Sequence, residues 1–357
     1  MFGKRTLNEE TVLNALKKVL DPDLHTDIVS LGFVKNVTIS DGKVSFMIEL
    51  TTPACPVRDQ LRLEAYRLVS ELPGVKEVDI KMTSRVVESP AERKAKLLPE
   101  VKNIIPIASG KGGVGKSTVS VNVALALSLS GAKVGLLDAD IYGPSIPHIL
   151  GATYEPQVNE NNKIIPAIHH GIKVMSMGFF LNNFQAALWR GPMLAKMLEQ
   201  FIGAVEWGEV DYLIVDLPPG TGDIQLSLCQ MIPLTGAVIV STPQDVALNV
   251  ARKAILMFNQ LNTPVLGIIE NMSYYTCPQC GRKERIFGEG GGVKLSQEFG
   301  IPFIGEIPMA TSIRAGADSG NPVVIAEPDS EISKVFAAIA GNVAAKVSIQ
   351  NMAKVHQ

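Results

Sequence analysis

The stretch Gly110-Lys111-Gly112-Gly113-Val114-Gly115-Lys116-Ser117-Thr118 decides the fold. It follows the apolar run Ile104 to Ala108 and opens a helical pattern from Lys116 to Ser130 that ends near Gly131. Its glycines let the backbone wrap closely around phosphates without a Cβ clash. Successive N–H groups then form an anion nest, reinforced by the positive end of the helix beginning near Lys116. In the spacing G-x-x-x-x-G-K-[ST], the Lys116 ammonium reaches the β- and γ-phosphates and the Ser117 hydroxyl ligates Mg²⁺. The strand–loop–helix setting separates this motif from a chance glycine-rich turn. The expectation is a site for Mg-ATP, with hydrolysis.

Working outward, the second half of the chain alternates strand and helix. Lys133 to Leu137, Tyr212 to Val215, Ala237 to Val240, Val265 to Ile269 and Phe303 to Ile304 are apolar runs bounded by turn signals. Helical patterns such as Val246 to Leu261 separate them. Strands apolar throughout imply a parallel sheet buried on both faces, and the right-handed crossover rule makes it doubly wound. The fold class expected is α/β, a doubly wound and mostly parallel sheet, preceded by a small α+β domain. In that first module, helical spacing over Thr11 to Leu20 precedes two alternating strands around Asp41-Gly42, a hairpin with a type I′ turn. A second helix, Cys55 to Leu72, and a strand, Val75 to Met82, complete it. The expected divisions are 1–85, a charged proline-bounded linker at 86–102, and 103–357.

Lys111, directly after the first glycine, makes the loop resemble the deviant phosphate loop KGGxGK[ST] shared by nitrogenase iron protein and the MinD and ParA partitioning ATPases. That resemblance implies an ATP-sandwich homodimer in which Lys111 of one subunit reaches the other's nucleotide; otherwise Lys111 is a solvated loop charge. It also gives roles to strand-end carboxylates. Asp140, in Leu136-Leu137-Asp138-Ala139-Asp140, matches the aspartate that orients the attacking water, with Asp138 nearer the metal and the loop. Asp216, before Leu217-Pro218-Pro219-Gly220-Thr221-Gly222-Asp223, matches the carboxylate that holds a Mg²⁺-bound water. Asn271 matches an adenine-reading asparagine and Ile307-Pro308-Met309 an adenine-flanking loop, although Asn and Pro are also ordinary turn residues.

Cys277-Pro278-Gln279-Cys280 follows Asn271. Two thiolates at this spacing can chelate one metal centre but leave a four-thiolate site half built. Two copies across a two-fold axis supply four, enough for one bridging 4Fe–4S cluster or one structural Zn²⁺. Combined with G-K-G-G-V-G-K-S-T, D-A-D-I-Y-G-P-S-I-P and D-L-P-P-G-T-G-D, the segment N-M-S-Y-Y-T-C-P-Q-C-G closely resembles the Mrp (ApbC) family of iron–sulfur cluster carrier ATPases over roughly Asn103 to Ala345. The resemblance implies that Cys277 and Cys280 hold a labile 4Fe–4S cluster at a homodimer interface for transfer to apoproteins, alongside cluster assembly factors. The N-terminal module resembles the PaaD/SufT-like domain through Asp21-Pro22-Asp23, Leu31-Gly32-Phe33-Val34 and Thr51-Thr52-Pro53-Ala54-Cys55-Pro56. Cys55 is expected at a helix start, where the dipole favours thiolate, as a transient ligand or a structural residue. Cys229 is read as a buried core thiol, and His169 and His170 as loop or surface residues.

Composition bounds the rest. A net charge of −2 exerts no global pull on nucleic acid or anionic membrane, and no transmembrane helix is expected. Four cysteines are too few for a disulfide framework and suit the reducing cytoplasm. Val335, Phe336, Ile339, Val343 and Val347 read as a core face rather than a membrane anchor. A MinD/ParA-like switch with a structural zinc bridge is the rival reading, and leaves the iron–sulfur chemistry of the cysteine pair without a use.

Overall fold

The structure is a computed structural model that describes residues 7–89, 98–180 and 202–355. The chain divides into two compact units, Met1–Val87 with Ser348–Gln357, and Glu88–Val347.

In the first unit, α1 (Glu9–Leu16) starts earlier than its apolar spacing suggests. The Asn8 side chain accepts from Thr11 N while Thr11 Oγ1 accepts from Asn8 N, a reciprocal cap that sets the start. Leu20 has left the helix and pairs with Asp27. β1 (Val34–Ser40) and β2 (Lys43–Leu50) form the expected hairpin, with Asp41 and Gly42 both at positive φ, 51° and 86°. α2 (Arg58–Ser70) and β3 (Glu77–Ser84), parallel to β2, complete the unit around Val12, Leu16, Phe46, Ile48, Leu61 and Val69.

The second unit is built on an eight-stranded sheet among the described residues. Its strands are β4 (Val101–Ala108), β5 (Val134–Asp138), β6 (Ala167–His169), β7 (Ile172–Ser176), β8 (Val210–Asp216), β9 (Ala237–Ser241), β10 (Val265–Glu270) and, after the two-stranded hairpin of β11 (Tyr275–Thr276) and β12 (Lys283–Glu284), β13 (Phe303–Glu306). The sheet order is β6-β7-β5-β8-β4-β9-β10-β13, parallel except for β6 against β7. The helices used below are α3 (Lys116–Leu129), α4 (Ile146–Ile149), α5 (Asp223–Met231), α6 (Asp245–Gln260), α7 (Gly291–Phe299), α8 (Thr311–Ser319) and α9 (Glu331–Val355). Central strands β5, β8 and β9 are buried at every position, as their unbroken apolar runs require.

Three expectations change here. β6 and β7 are strands beyond those expected: they are short, and Gly171, at φ 83°, separates them. His169 ends β6 and is buried, its Nε2 bonded to Tyr154 O and its ring stacked on Phe179, so it is neither a loop nor a surface residue. The expected linker ends too late: Leu98 and Val101 are already core residues and β4 begins at Val101. Residues 90–97 of that segment lie outside the described residues.

The last helix keeps its expected core face although it also has the length of a membrane span. Glu331–Ala353 is long and apolar enough, by length and composition, to cross a membrane. Phe336, Ile339, Val343 and Val347 are nevertheless fully buried, the core face read from their spacing. Its last residues group with the first unit, where Met352 packs on the core and Asn351 Nδ2 donates to Val87 O.

Candidate nucleotide and metal site

The phosphate loop crosses from the C-terminal end of β4 to the N-terminus of α3. Gly110 is required by contact, since a Cβ there would lie 2.4 Å from the Val250 carbonyl carbon on α6. Gly112 and Gly113 have nothing within 4 Å of a Cβ position, which leaves the concave side open. Gly115 caps α3 at φ 78° with no side-chain cap, so the first N–H groups of the helix face the loop without a side-chain partner. The cleft, of about 340 Å³, is lined by Lys111 to Thr118 with Asp140, Ser145, His148 and Pro219.

Sheet register delivers the carboxylates. β8 lies between β5 and β4, and Asp216 pairs level with both Asp138 and Ile107. Asp216 is fully buried; Ser117 Oγ donates to its Oδ2 at 2.6 Å, Ser120 Oγ to its Oδ1 at 2.7 Å, and Lys116 Nζ lies 2.7 Å from Oδ1. The hydroxyl of Ser117 and the carboxylate of Asp216 are hard oxygen donors side by side, a fit for Mg²⁺ with its remaining ligands from phosphate and water. Ser120, one turn beyond the motif on α3, is a contributor the motif did not reveal.

Asp138 does not line the cleft. Its Oδ1 accepts from Asp140 N, and its Oδ2 from Ile146 N and the Ser176 hydroxyl. It braces the loop that carries Asp140. Burial, then the charge of Asp216, raises its pKa to about 7. Asp140 is half-buried at the cleft and bonded to Gly143 N; burial raises its pKa, against the pull of Lys116. Lys111 is half-buried, and its Nζ lies 3.4 Å from Gln244 Oε1 of the same chain.

A second cavity, of about 460 Å³, adjoins the first and is lined by Asn271, Met272, Tyr275, Pro308, Met309 and α8. Asn271 and Pro308, the two residues expected to flank a base, both line it, so it is the candidate base cavity. Asn271 is already engaged, however: Nδ2 donates to Val114 O at 2.8 Å, and Oδ1 accepts from Met272 N. The asparagine ties the phosphate loop to the base cavity.

The cysteine pair sits on the tight turn between β11 and β12. Gly281 N donates to Cys277 O and Cys277 N to Arg282 O, with Gly281 at φ 70°. Cys277 is half-exposed and Cys280 exposed, both free thiols. The backbone N–H groups of Cys280 and Gln279 lower the Cys277 pKa. Among the described residues no cluster of three or more His, Cys, Asp or Glu could hold a metal, so this turn offers two thiols without a further ligand of those types beside them. The hairpin is rooted in the base cavity: Tyr275 lines that cavity two residues before Cys277, bridges to Met309, and Met309 N donates to Tyr274 O at 2.7 Å.

Cys55 departs from expectation. α2 begins three residues later, and Arg58 N donates to Cys55 O at 3.3 Å. Burial raises its pKa, with Asp21 and Asp23 adding to the rise and only the Val57 N–H offsetting it as a hydrogen bond. Burial is the largest cause and outweighs the Val57 N–H and the nearby charge of Arg58, which pull the other way. Cys229 is buried as read, its thiol pushed up to about 12 by burial.

This fold and loop define a P-loop NTPase of the MinD/ParA type. A solved nucleotide-binding protein from Archaeoglobus fulgidus, in complex with ADP, is 41% identical with a TM-score of 0.60, over 70% of this chain and 98% of that one. The cell division ATPase MinD of Pyrococcus furiosus shares the fold at 23% identity and a TM-score of 0.53, over 68% of this chain and 98% of its own. Residues 100–344 match the family described as NUBPL iron-transfer P-loop NTPase, and residues 9–80 the family described as iron-sulfur cluster assembly protein. An iron-sulfur cluster carrier protein of Synechocystis sp. is 47% identical over 348 residues, 96% of this chain and 99% of its own. The chain belongs to the NUBPL iron-transfer P-loop NTPase family.

Proposed function

We propose that the chain is an ATP-hydrolysing carrier that holds a 4Fe–4S cluster between two copies of itself and passes it to apoproteins. The observation that carries this reading is the union of the two sites: the strand that ends at the cysteine turn is also a wall of the base cavity. Each copy supplies Cys277 and Cys280, and two copies supply the four thiolates a cubane cluster needs. The cluster is cargo, and a thiol of lowered pKa on an exposed turn suits a ligand that must bind and let go.

In the nucleotide site, Gly110 to Thr118 cradle the phosphates of ATP. Ser117 and Asp216 would hold Mg²⁺, which would offset the negative charge of the phosphates. Lys116 neutralises charge developing on the transferred phosphoryl group, and Asp140 orients the attacking water. Lys111 leaves Gln244 and reaches the partner's nucleotide when two copies close. Asn271 and Pro308 flank the adenine. Four free cysteines suit a reducing compartment such as the cytoplasm, and the N-terminal unit would meet cluster assembly factors.

Anaerobic reconstitution with iron and sulfide tests the reading. About four irons per dimer, with broad absorption near 400 nm lost in Cys277→Ala/Cys280→Ala, is the expected result. Uptake of one zinc per dimer and no iron would replace the carrier with a nucleotide switch bridged by a structural metal.

A further inference from the structure

The base cavity and the phosphate cleft meet at Gly115, Thr118, Ala317 and Asp318. A nucleotide carries its pentose between base and phosphates, so on the nucleotide reading above the sugar lies at this junction. Gly115 and Ala317 bring no polar side-chain atom. Thr118, in the first turn of α3, brings a hydroxyl, and Asp318 brings the only carboxylate that lines both cavities among the described residues. Asp318 lies in the last turn of α8, one turn after Arg314, which lines the base cavity. Arg314 Nη1 donates to Asp318 Oδ2 at 2.6 Å, and Oδ1 has no hydrogen-bond partner among the described residues.

We propose that Asp318 reads the ribose: its free oxygen accepts a hydroxyl of the vicinal diol, and Arg314 is the positioning residue that holds the carboxylate at the junction. A carboxylate only accepts and a diol offers two O–H donors, the pairing dinucleotide folds use at their ribose. The ion pair itself is well exposed, 68% and 61%, where such pairs contribute little to folding. It also offsets the carboxylate's repulsion of the neighbouring phosphates.

The test is calorimetric titration of the full chain with Mg-ADP and Mg-2′,3′-dideoxy-ADP, in wild type, Asp318→Ala, Asp318→Asn and Arg314→Ala. A charge-assisted hydrogen bond predicts roughly a ten-fold or greater preference of wild type for ADP. Asp318→Ala should weaken ADP by that factor, leave the dideoxy nucleotide unchanged and so erase the preference. Asp318→Asn and Arg314→Ala should reduce the preference by less. Equal affinity of wild type for both nucleotides, or an Asp318→Ala preference as large as that of wild type, overturns the assignment alone. Failure of wild type to bind either nucleotide overturns the nucleotide reading and the assignment with it.

Discussion

The Ser117 hydroxyl donates to the Asp216 carboxylate across 2.6 Å, joining the first turn of α3 to the end of β8 although 99 positions separate them in sequence. The same carboxylate takes the Lys116 ammonium and the Ser120 hydroxyl. Two ionised groups that are 6% and 0% exposed depend on each other for charge compensation.

Removing both of them should therefore cost less than the sum of removing each. Asp216→Ala leaves Lys116 buried and unpaired, a loss of about 3–5 kcal/mol by analogy with broken buried pairs. Asp216→Ala/Lys116→Ala should lose less than the sum of the single changes. Denaturant melts of the three variants check this, and ATP hydrolysis should be lost in all of them.

The loop tolerates no side chain at Gly115. A Cβ there would meet Asn271 Nδ2 at 2.3 Å and would sit at φ 78°. Gly115→Ala should abolish nucleotide binding while the far-ultraviolet circular dichroism spectrum is retained. Unchanged ADP affinity in that variant would mean that the Asn271 tie does not shape the loop.

A backbone contact closes the other side of the cleft. Gly151, beyond α4, and Gly320, capping α8, touch so closely that a Cβ on Gly320 would lie 2.4 Å from Gly151 Cα. α4 carries His148 and α8 carries Asp318, both lining the cleft. Gly320→Ala should destabilise by about 1–3 kcal/mol, as overpacking does, and weaken nucleotide binding. Thermal melts with and without Mg-ADP separate the two effects.

The contribution of Asp138 to stability should fall as pH rises from about 4 to 7. The unfolded Asp138 carboxyl loses its proton near 3.9, whereas the folded one keeps it to about 7. Between those values the folded state holds a proton that the unfolded state lacks, so raising the pH favours unfolding. Melting temperatures of nucleotide-free wild type and Asp138→Asn check the sign: the variant should show a flatter dependence across that window.

Three of the four cysteines should alkylate in an order set by environment. Cys277, its thiol lowered by backbone N–H groups, should react with iodoacetamide at a pH below that of an ordinary thiol, about 8.5. Cys55 should lag, and Cys229, pushed up to about 12 and buried, should react only on unfolding. Peptide mass spectrometry across pH 6–9 gives the order.

Local chemistry was legible in the chain itself. Glycines at fixed offsets, a lysine and serine after them, apolar runs of strand length and a C-x-x-C spacing each act over a few residues, so the phosphate loop, the α/β class and the thiol pair could be read directly. Tertiary structure decided what depends on register and burial. The level pairing of Asp216 with Asp138 turns one carboxylate to the loop's lysine and serines and leaves the other as a buried brace. The packing of Cys55 makes desolvation outweigh the Val57 N–H and the charge of Arg58. The bridge from Tyr275 to Met309, and the meeting of Gly151 with Gly320, join segments 34 and 169 positions apart into the walls of one cavity system. Such contacts leave no trace in periodicity, because they depend on where the sheet order brings each strand's end and not on the residues beside it.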